Sequence, residues 1–429
     1  MSPNGVNRRN YAAQSNTLPV RNLLLWVAIA LSPFQDTALQ HTPFKLLAAS
    51  PAVLPLFALC LLAGALHLLN NPFSIGRTGL LITGYVVLVC AANFVSLQHG
   101  EAVIYWKPLL ANSFLTILML FTVFRIDYRI GLGFRIAIYT AFCFTIVGIA
   151  CGQLLGSNAI SFLQATPSVG GRPHGFSTEA STLSVQIVAS GMLTAHFLSR
   201  SWQKLCVAII TCVLLVFSSS KGGLISLLLC VVVLSIAKSH SSVWSKITVS
   251  LVVLPLVYFG GLLILSQFGT IVEANETATI ATRFSMVVYA VIAIAHNPFG
   301  VGFTGFLPSI PHYLPQAMSF VQSLFPFPLW FGEVQEYLYP PQANADCKTM
   351  FFDFFAYFGI PFAIIFFWFM IGTLRRLFRC QCYWLFVAVL FSMMALLTYY
   401  STISAWTLPL LFGISLHEIR RVENPLCLQ

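Results

Sequence analysis

Hydropathy constrains this chain more tightly than any motif. From about residue 22 to residue 417 it is a succession of apolar runs separated by short polar joints. In a bilayer every backbone polar group must be paired within the protein, so runs of this kind are satisfied as helices. Twelve candidate spans follow, at roughly 22–35, 44–69, 79–97, 103–124, 133–154, 180–198, 205–219, 222–237, 247–266, 349–373, 384–400 and 401–417. The expected fold class is an all-α polytopic membrane protein, with a single integral-membrane domain over 1–429 and a cytoplasmic tail at 1–21. An even number of spans returns both termini to one side. Charged residues make up only 8% of the chain, against about 25% in soluble domains, which excludes a soluble class. The amino terminus is polar through Arg21 and has no small-residue cleavage site, so no cleavable signal is expected. The eleven cysteines lie mostly inside apolar runs, where a thiol is a small hydrophobe, and they form no disulfide framework.

The formal charge of +10 is spread singly between the apolar runs, which suits orientation in a bilayer and not nucleic-acid binding. With the amino terminus in the cytoplasm, sixteen of the twenty-two basic residues fall on inner loops. Arg8, Arg21, Arg125, Arg129, Arg200, Lys238, Arg375 and Arg421 are among them. Only Asp127, Glu418 and Glu423 of the twelve acids join them there. Six cations break the pattern: Lys45, Lys107, Arg172, Lys221, Arg283 and Lys348 fall at or just below the outer face. A cation at mid-helix costs about 2.5–3.5 kcal/mol on an insertion scale. Cations gathered where they are normally sparse point to an anionic ligand. Lys45 and Lys107 equally fit pairing with a neighbouring acid or snorkelling to headgroups.

One segment, 267–348, resists threading through a membrane and is expected to be a large periplasmic loop containing short interfacial helices. It carries Glu273, Glu276, Arg283, His296, His312, Glu333, Glu336, Asp346 and Lys348, with many Pro and Gly. Its centre reads as a short helix ending at His296, closed by Asn297-Pro-Phe-Gly-Val-Gly302. Arg283 to His296 is about 21 Å of helix, too short for ~30 Å of hydrocarbon. Phe325-Pro-Phe-Pro-Leu-Trp-Phe331 reads as aromatic anchoring at a headgroup boundary. Cys347 falls in this loop, and it and the Ser309 position are expected to be open to a thiol reagent.

Two further patches carry cations. In Gly170-Gly-Arg-Pro-His-Gly-Phe-Ser-Thr-Glu179 the glycines and Pro173 make a turn, and Glu179 falls in the first turn of a helix, where the dipole favours a carboxylate. Helix capping alone also accounts for Glu179. Ser218-Ser-Ser-Lys-Gly-Gly223 joins two spans. Its small residues leave amides approachable, Lys221 adds a point charge, and a phosphate would fit, as would a plain helix–helix turn. The GxxxxGK[ST] spacing of a nucleotide-binding loop is absent.

Arg172 with Gly175 and Glu179, then Ser220-Lys-Gly222, then Arg283 with His296-Asn-Pro-Phe-Gly-Val-Gly302, resemble in order and topology the O-antigen ligase and polymerase superfamily. The resemblance covers roughly residues 160–375, and Asn297, Pro298, Gly300 and Gly302 lie in its most specific string. It implies the large helical architecture of lipid-linked-sugar transferases. The site would lie on the periplasmic side of the bacterial inner membrane, acting on oligosaccharides carried by undecaprenyl pyrophosphate. A flippase and a chain-length regulator of the same pathway are the implied partners, beside membrane lipid. Two departures shift the reading within that family. Lys221 stands where the second patch usually carries Arg. Ligases tend to carry a His pair eleven residues before a glycine after the long loop, whereas counting back from Gly359 finds Lys348-Thr349. A lysine cannot take a hydroxyl proton unless its pKa is strongly lowered, so a polymerase is favoured over a ligase.

Such chemistry starts from an activated donor and needs no redox or nucleotide cofactor. Arg172, Lys221, Arg283 and Lys348 are the candidates to neutralise the leaving pyrophosphate. Glu179, Asp346, Glu333 and Glu336 are the candidate bases, in that order, and His312 is a possible substitute. The catalytic candidates are thus Glu179, Asp346, Arg172 and Arg283. No His/Asp/Glu spacing suggests a metal, so a metal-independent transferase is expected. The competing classes are ligase-type transfer to another acceptor and a flippase, which would place ionisable groups near the midplane with repeat symmetry.

Overall fold

The computed structural model describes residues 19–35, 37, 50–70, 77–98, 106–154, 175–177, 179–238, 274–325, 328–338, 345–400 and 406–423, backbone only at 67–70, 77–78, 106–108 and 274–280. Among them every regular element is a helix. These are α1 (Pro19–Leu31), α2 (Val53–Asn70), α3 (Arg77–Gln98), α4 (Trp106–Phe124), α5 (Leu132–Leu154), α6 (Ala180–Phe197) and α7 (Ser201–Phe217). They continue with α8 (Lys221–Lys238), α9 (Ala274–His296), α10 (Gly302–Leu324), α11 (Gly332–Glu336), α12 (Met350–Arg379), α13 (Tyr383–Thr398) and α14 (Thr407–Glu423). Four carry stretches long and apolar enough to cross a membrane, in α3, α5, α8 and α12, and several shorter helices are equally apolar. On α12 the exposed residues Ile360, Ile364, Ile365, Trp368 and Ile371 recur at helical spacing on one side, an apolar stripe that water would not tolerate and lipid would. The chain is a helical membrane protein. The expected span at 247–266, the tail at 1–18, Lys45, Glu273, Arg172 and the side chains of Lys107 and Glu276 lie outside the described residues.

The helices fall into two compact units. The first contains α1, α2, α5, α6, α7 and α14, with the adjoining parts of α3 and α4. Its centre is α6, buried almost all round from Thr182 to Ala195. Two buried hydroxyls there return to their own helix, Ser190 Oγ to the Gln186 carbonyl at 2.6 Å and Ser184 Oγ to that of Ser181 at 2.6 Å. Gly191 lets α7 approach, because any Cβ there would strike the Thr211 side chain.

The second unit contains α8 to α13, with α3 from Thr83 and the start of α4. Its core joins Tyr289 of α9, Phe303, Phe306 and Ile310 of α10, and Tyr357 and Phe358 of α12, with Val89 and Ala92 of α3. Within the expected loop the structure differs from the sequence reading. α9 starts at Ala274, well before Arg283, and both α9 and α10 run for 23 residues. α10 stays helical through Pro308, Pro311 and Pro315 because their spacing puts all three on one side. The missing N–H donors share that side, while Phe303, Phe306, Ile310, Leu314, Ala317 and Val321 pack on the other. His312 is therefore an exposed helical residue. Of the aromatic stretch after α10, Leu329 is buried and Trp330 exposed.

α12 is broken once. Gly359 has φ 66° and ψ −151°, and Pro361 follows it. The turn Asn297-Pro298-Phe299-Gly300 docks on this break. Gly300 N donates to Asn297 O at 2.8 Å, Ile360 N to Pro298 O at 2.9 Å, and Val301 N to Ala356 O at 2.8 Å. An amide of α12 freed by the break thus meets a carbonyl of the turn, and a carbonyl of α12 meets the amide of Val301.

Candidate functional site

The site builds outward from that docked turn. Asn297 ends α9, buried, and its Nδ2 reaches the Ala293 carbonyl at 3.4 Å and Tyr313 Oη at 3.3 Å. Pro298 and Gly300 supply the backbone contacts to α12, and Gly302 opens α10 against Asn93 of α3. Asn93 was not singled out from sequence. Its Oδ1 accepts from both Thr304 N (3.2 Å) and Thr304 Oγ1 (2.6 Å), and nearby Ser96 Oγ donates to the Val301 carbonyl. A lone Asn and Ser inside an apolar span were the only available signal.

Lys348 lies just ahead of α12. Its Nζ stands 3.1 Å from Glu333 Oε1 and 3.5 Å from Asp346 Oδ1. Glu333, on α11, also accepts from Tyr337 Oη at 2.9 Å and Thr282 Oγ1 at 3.1 Å. Lys348 itself has φ 57°, a left-handed conformation that costs about 1–2 kcal/mol for a residue with a Cβ. Two acceptors hold it there. Asp346 Oδ1 takes Lys348 N at 3.2 Å, and the buried Asp353 takes Cys347 N at 2.7 Å. Burial alone would lower the Lys348 pKa, but Asp346, Tyr337 and Glu333 together hold it above the usual lysine value. Burial likewise works to raise Glu333, and Lys348 with the two hydroxyl donors overrides it, leaving the carboxyl below its usual range. The ion pairs thus favour the charged form of Lys348.

The site residues of the second unit converge on the end of α13. Arg283 Nη1 donates to the Thr398 carbonyl at 3.4 Å, where an arginine complements a helix carboxyl end. Gly222 lies against the Tyr399 ring, 3.3 Å from where its Cβ would sit. Met350 N, two residues beyond Lys348, donates to the Tyr400 carbonyl. Thr282, the neighbour of Arg283, is already bonded to Glu333. The patches bearing Lys221, Arg283 and Lys348, which lie far apart in sequence, are therefore neighbours through Thr398–Tyr400. Lys221 is exposed at the first position of α8, and the buried Ser220 caps that helix, its Oγ accepting from Gly223 N at 3.3 Å.

Other expectations fare differently. Arg172 lies outside the described residues. Glu179 belongs to the first unit and is the N-cap of α6 by position, one residue outside the first turn. Its side chain does not cap the helix but accepts from Ser181 Oγ at 3.0 Å. Glu336 is exposed on α11. Cys347 is fully buried and Ser309 equally so, which corrects the expectation that a thiol at either position would meet a reagent. Burial also pushes the Cys347 thiol up. Among the described residues no group of three His, Cys, Asp or Glu side chains is arranged to hold a metal.

The Glu333 shift predicts a pH signature. A carboxyl made more acidic by folding contributes fully above its unfolded pKa, about 4.3, and its contribution is lost as the pH falls through the depressed folded value. The gap in thermal midpoint between the wild type and Lys348→Met should therefore be constant from about pH 6 to 8 and shrink toward about pH 3. A gap that persists unchanged at the acid end would show that the pair is not the source.

No family model matches the chain. Over 228 residues it is 30% identical to an uncharacterized 49.5 kDa protein in cps region from Klebsiella pneumoniae, a match covering 52% of this chain and 52% of that protein. The chain thus spans about half the length of the curated relative it matches. It is a helical membrane protein with partial sequence similarity to a protein of a cps region.

Proposed function

We propose that this protein is a polysaccharide polymerase of the bacterial inner membrane. In this reading twelve spans place 267–348 on the periplasmic side, both termini are cytoplasmic, and a growing glycan passes from undecaprenyl pyrophosphate to a lipid-linked repeat unit. The observation that carries the proposal is the gathering of the Lys221, Arg283 and Lys348 patches around Thr398–Tyr400, beside the carboxylates of Glu333 and Asp346. A relative encoded in a capsule region supports the substrate class.

Each residue has a distinct part. Arg283 and Lys221, with Arg172, neutralise the pyrophosphate as its bond to the anomeric carbon breaks, the arginines as bidentate donors and the lysine as a point charge. The acceptor hydroxyl attacks that carbon, and its proton passes to a carboxylate. Asp346, held by Lys348 beside Glu333, is the proposed acceptor of that proton. Lys348 serves the carboxylates first, because its ammonium is already shared between two of them. The products are the lengthened lipid-linked chain and free undecaprenyl pyrophosphate, with no other reactant.

Purified protein given synthetic undecaprenyl-pyrophosphate repeat units in detergent should build ladders of increasing length without nucleotide or ion gradient, and chelator should not stop it. Transfer of finished chains to a different acceptor would select the ligase reading. Movement of the lipid between leaflets with no lengthening would select a flippase and refute the enzyme.

A further inference from the structure

The start of α12 is closed from an unexpected position. Thr349 is its N-cap, in extended conformation, yet makes no side-chain cap, and its buried Oγ1 has no partner among the described residues. Closing the turn falls instead to Asp353, four residues further in. Its Oδ1 reaches back six residues, past the N-cap, to accept from Cys347 N at 2.7 Å. In a capping box the returning side chain stops at the N-cap amide. Here it takes an amide two residues earlier, outside the helix.

Helix stability alone does not account for this choice. Asp353 is 3% exposed, and among the described residues no cation stands within ion-pair distance of it. Burying a carboxylate without a cation costs stability, whereas a hydroxyl at the N-cap closes a helix without that cost. What Asp353 secures is the peptide joining Asp346 to Cys347. That unit is planar, so the Cys347 N–H and the Asp346 Cα share one rigid plane, and an acceptor that fixes the first orients the second. The next amide is fixed as well, because Lys348 N donates to Asp346 Oδ1 at 3.2 Å. Asp346 keeps 33% of its side chain exposed, within reach of a substrate, and the buried Asp353 does not.

We propose that Asp353 is a positioning residue: by holding the Cys347 amide it aims the Asp346 carboxylate, which on the polymerase reading takes the acceptor proton. Its importance for transfer rests on that reading; its hold on the turn does not. Asp353 acts only through Asp346, since its own carboxyl is buried and bonded to the chain.

The test compares the full chain in detergent with Asp353→Ala and with Asp353→Asn, whose Oδ1 can still accept the Cys347 N–H. Asp353→Ala should lower kcat for chain extension roughly 10²-fold, the cost of a reacting group misplaced by about 1 Å. KM should stay unchanged, because Arg283 and Lys221 hold the diphosphate without Asp353, and Asp353→Asn should restore most of the rate. Hydrogen exchange over 345–350 gives a readout that needs no activity: these amides should exchange slowly in the wild type and Asp353→Asn and fast in Asp353→Ala. Across the three proteins, protection and kcat should rise and fall together. Either one without the other overturns the proposal, as does fast exchange in the wild type. A lower yield with kcat per folded molecule unchanged also overturns it, assigning Asp353 to folding alone. Should Asp353→Ala not accumulate, the same comparison between the wild type and Asp353→Asn decides. A wild type that extends no chain refutes the polymerase reading, and the exchange rates still show whether Asp353 holds the turn.

Discussion

Arg283→Ala is expected to reduce polymer formation by roughly 10²–10³-fold, the usual effect of removing one preorganised donor from a developing anionic leaving group. Protein abundance in the membrane should stay close to wild type. The bond from Nη1 to the Thr398 carbonyl is 3.4 Å long, and losing one half-exposed contact of that length destabilises little. Arg283→Lys should restore only part of the activity, because a point charge replaces a planar fork. Arg172→Ala should behave in the same way. The measurement is chain-length distribution and rate with purified protein, alongside quantitative blotting. Activity within a factor of two of wild type in both alanine variants would remove the basis for a pyrophosphate clamp. A parallel fall in abundance would assign Arg283 to helix capping alone.

Gly359→Ala should have the largest effect on folding. At φ 66° and ψ −151° the position lies in a backbone region nearly confined to glycine. A Cβ there would also meet the Pro298 carbonyl and come within 2.7 Å of Gly300 N. Those neighbours are backbone atoms of the docked turn and cannot rotate away, so strain and overlap together cost on the order of 4 kcal/mol. Gly300→Ala meets the Tyr357 carbonyl and Phe358 N from the opposite side and should fail similarly. Gly372→Ala, further along the same helix, has nothing within 4 Å of its Cβ and should be tolerated. Membrane abundance and detergent-extracted monomer report the outcome. Normal yields of Gly359→Ala would mean that the turn and the broken helix do not interlock.

That interlock shows where reading the sequence stops. The apolar runs alone determined the class, because a backbone in hydrocarbon has few ways to satisfy its polar groups. The end of α9 at His296 was legible too, since Pro298 biases Asn297 away from helical backbone angles and the glycines after it favour a turn. Lys348 was read as a poor base from its type alone, and only the fold shows the two carboxylates that its ammonium meets. Sequence did not reveal the full length of α9 and α10. Three prolines in α10 read locally as breaks, and only packing of the opposite face against α9 and α12 makes a continuous helix the better state.

The partners of each charged side chain were also beyond a one-dimensional reading. Residues 222, 283, 350 and 398–400 are distant along the chain, and nothing in their identities says that they adjoin. Likewise Asn93 and Ser96 look like ordinary polar interruptions of a span until α10 is docked on them. Composition and period fix what each segment can be, because they act through local solvation and backbone geometry. Which segments meet is decided by shape, through a glycine pair that lets two backbones touch and hydrogen bonds that exist only once they do.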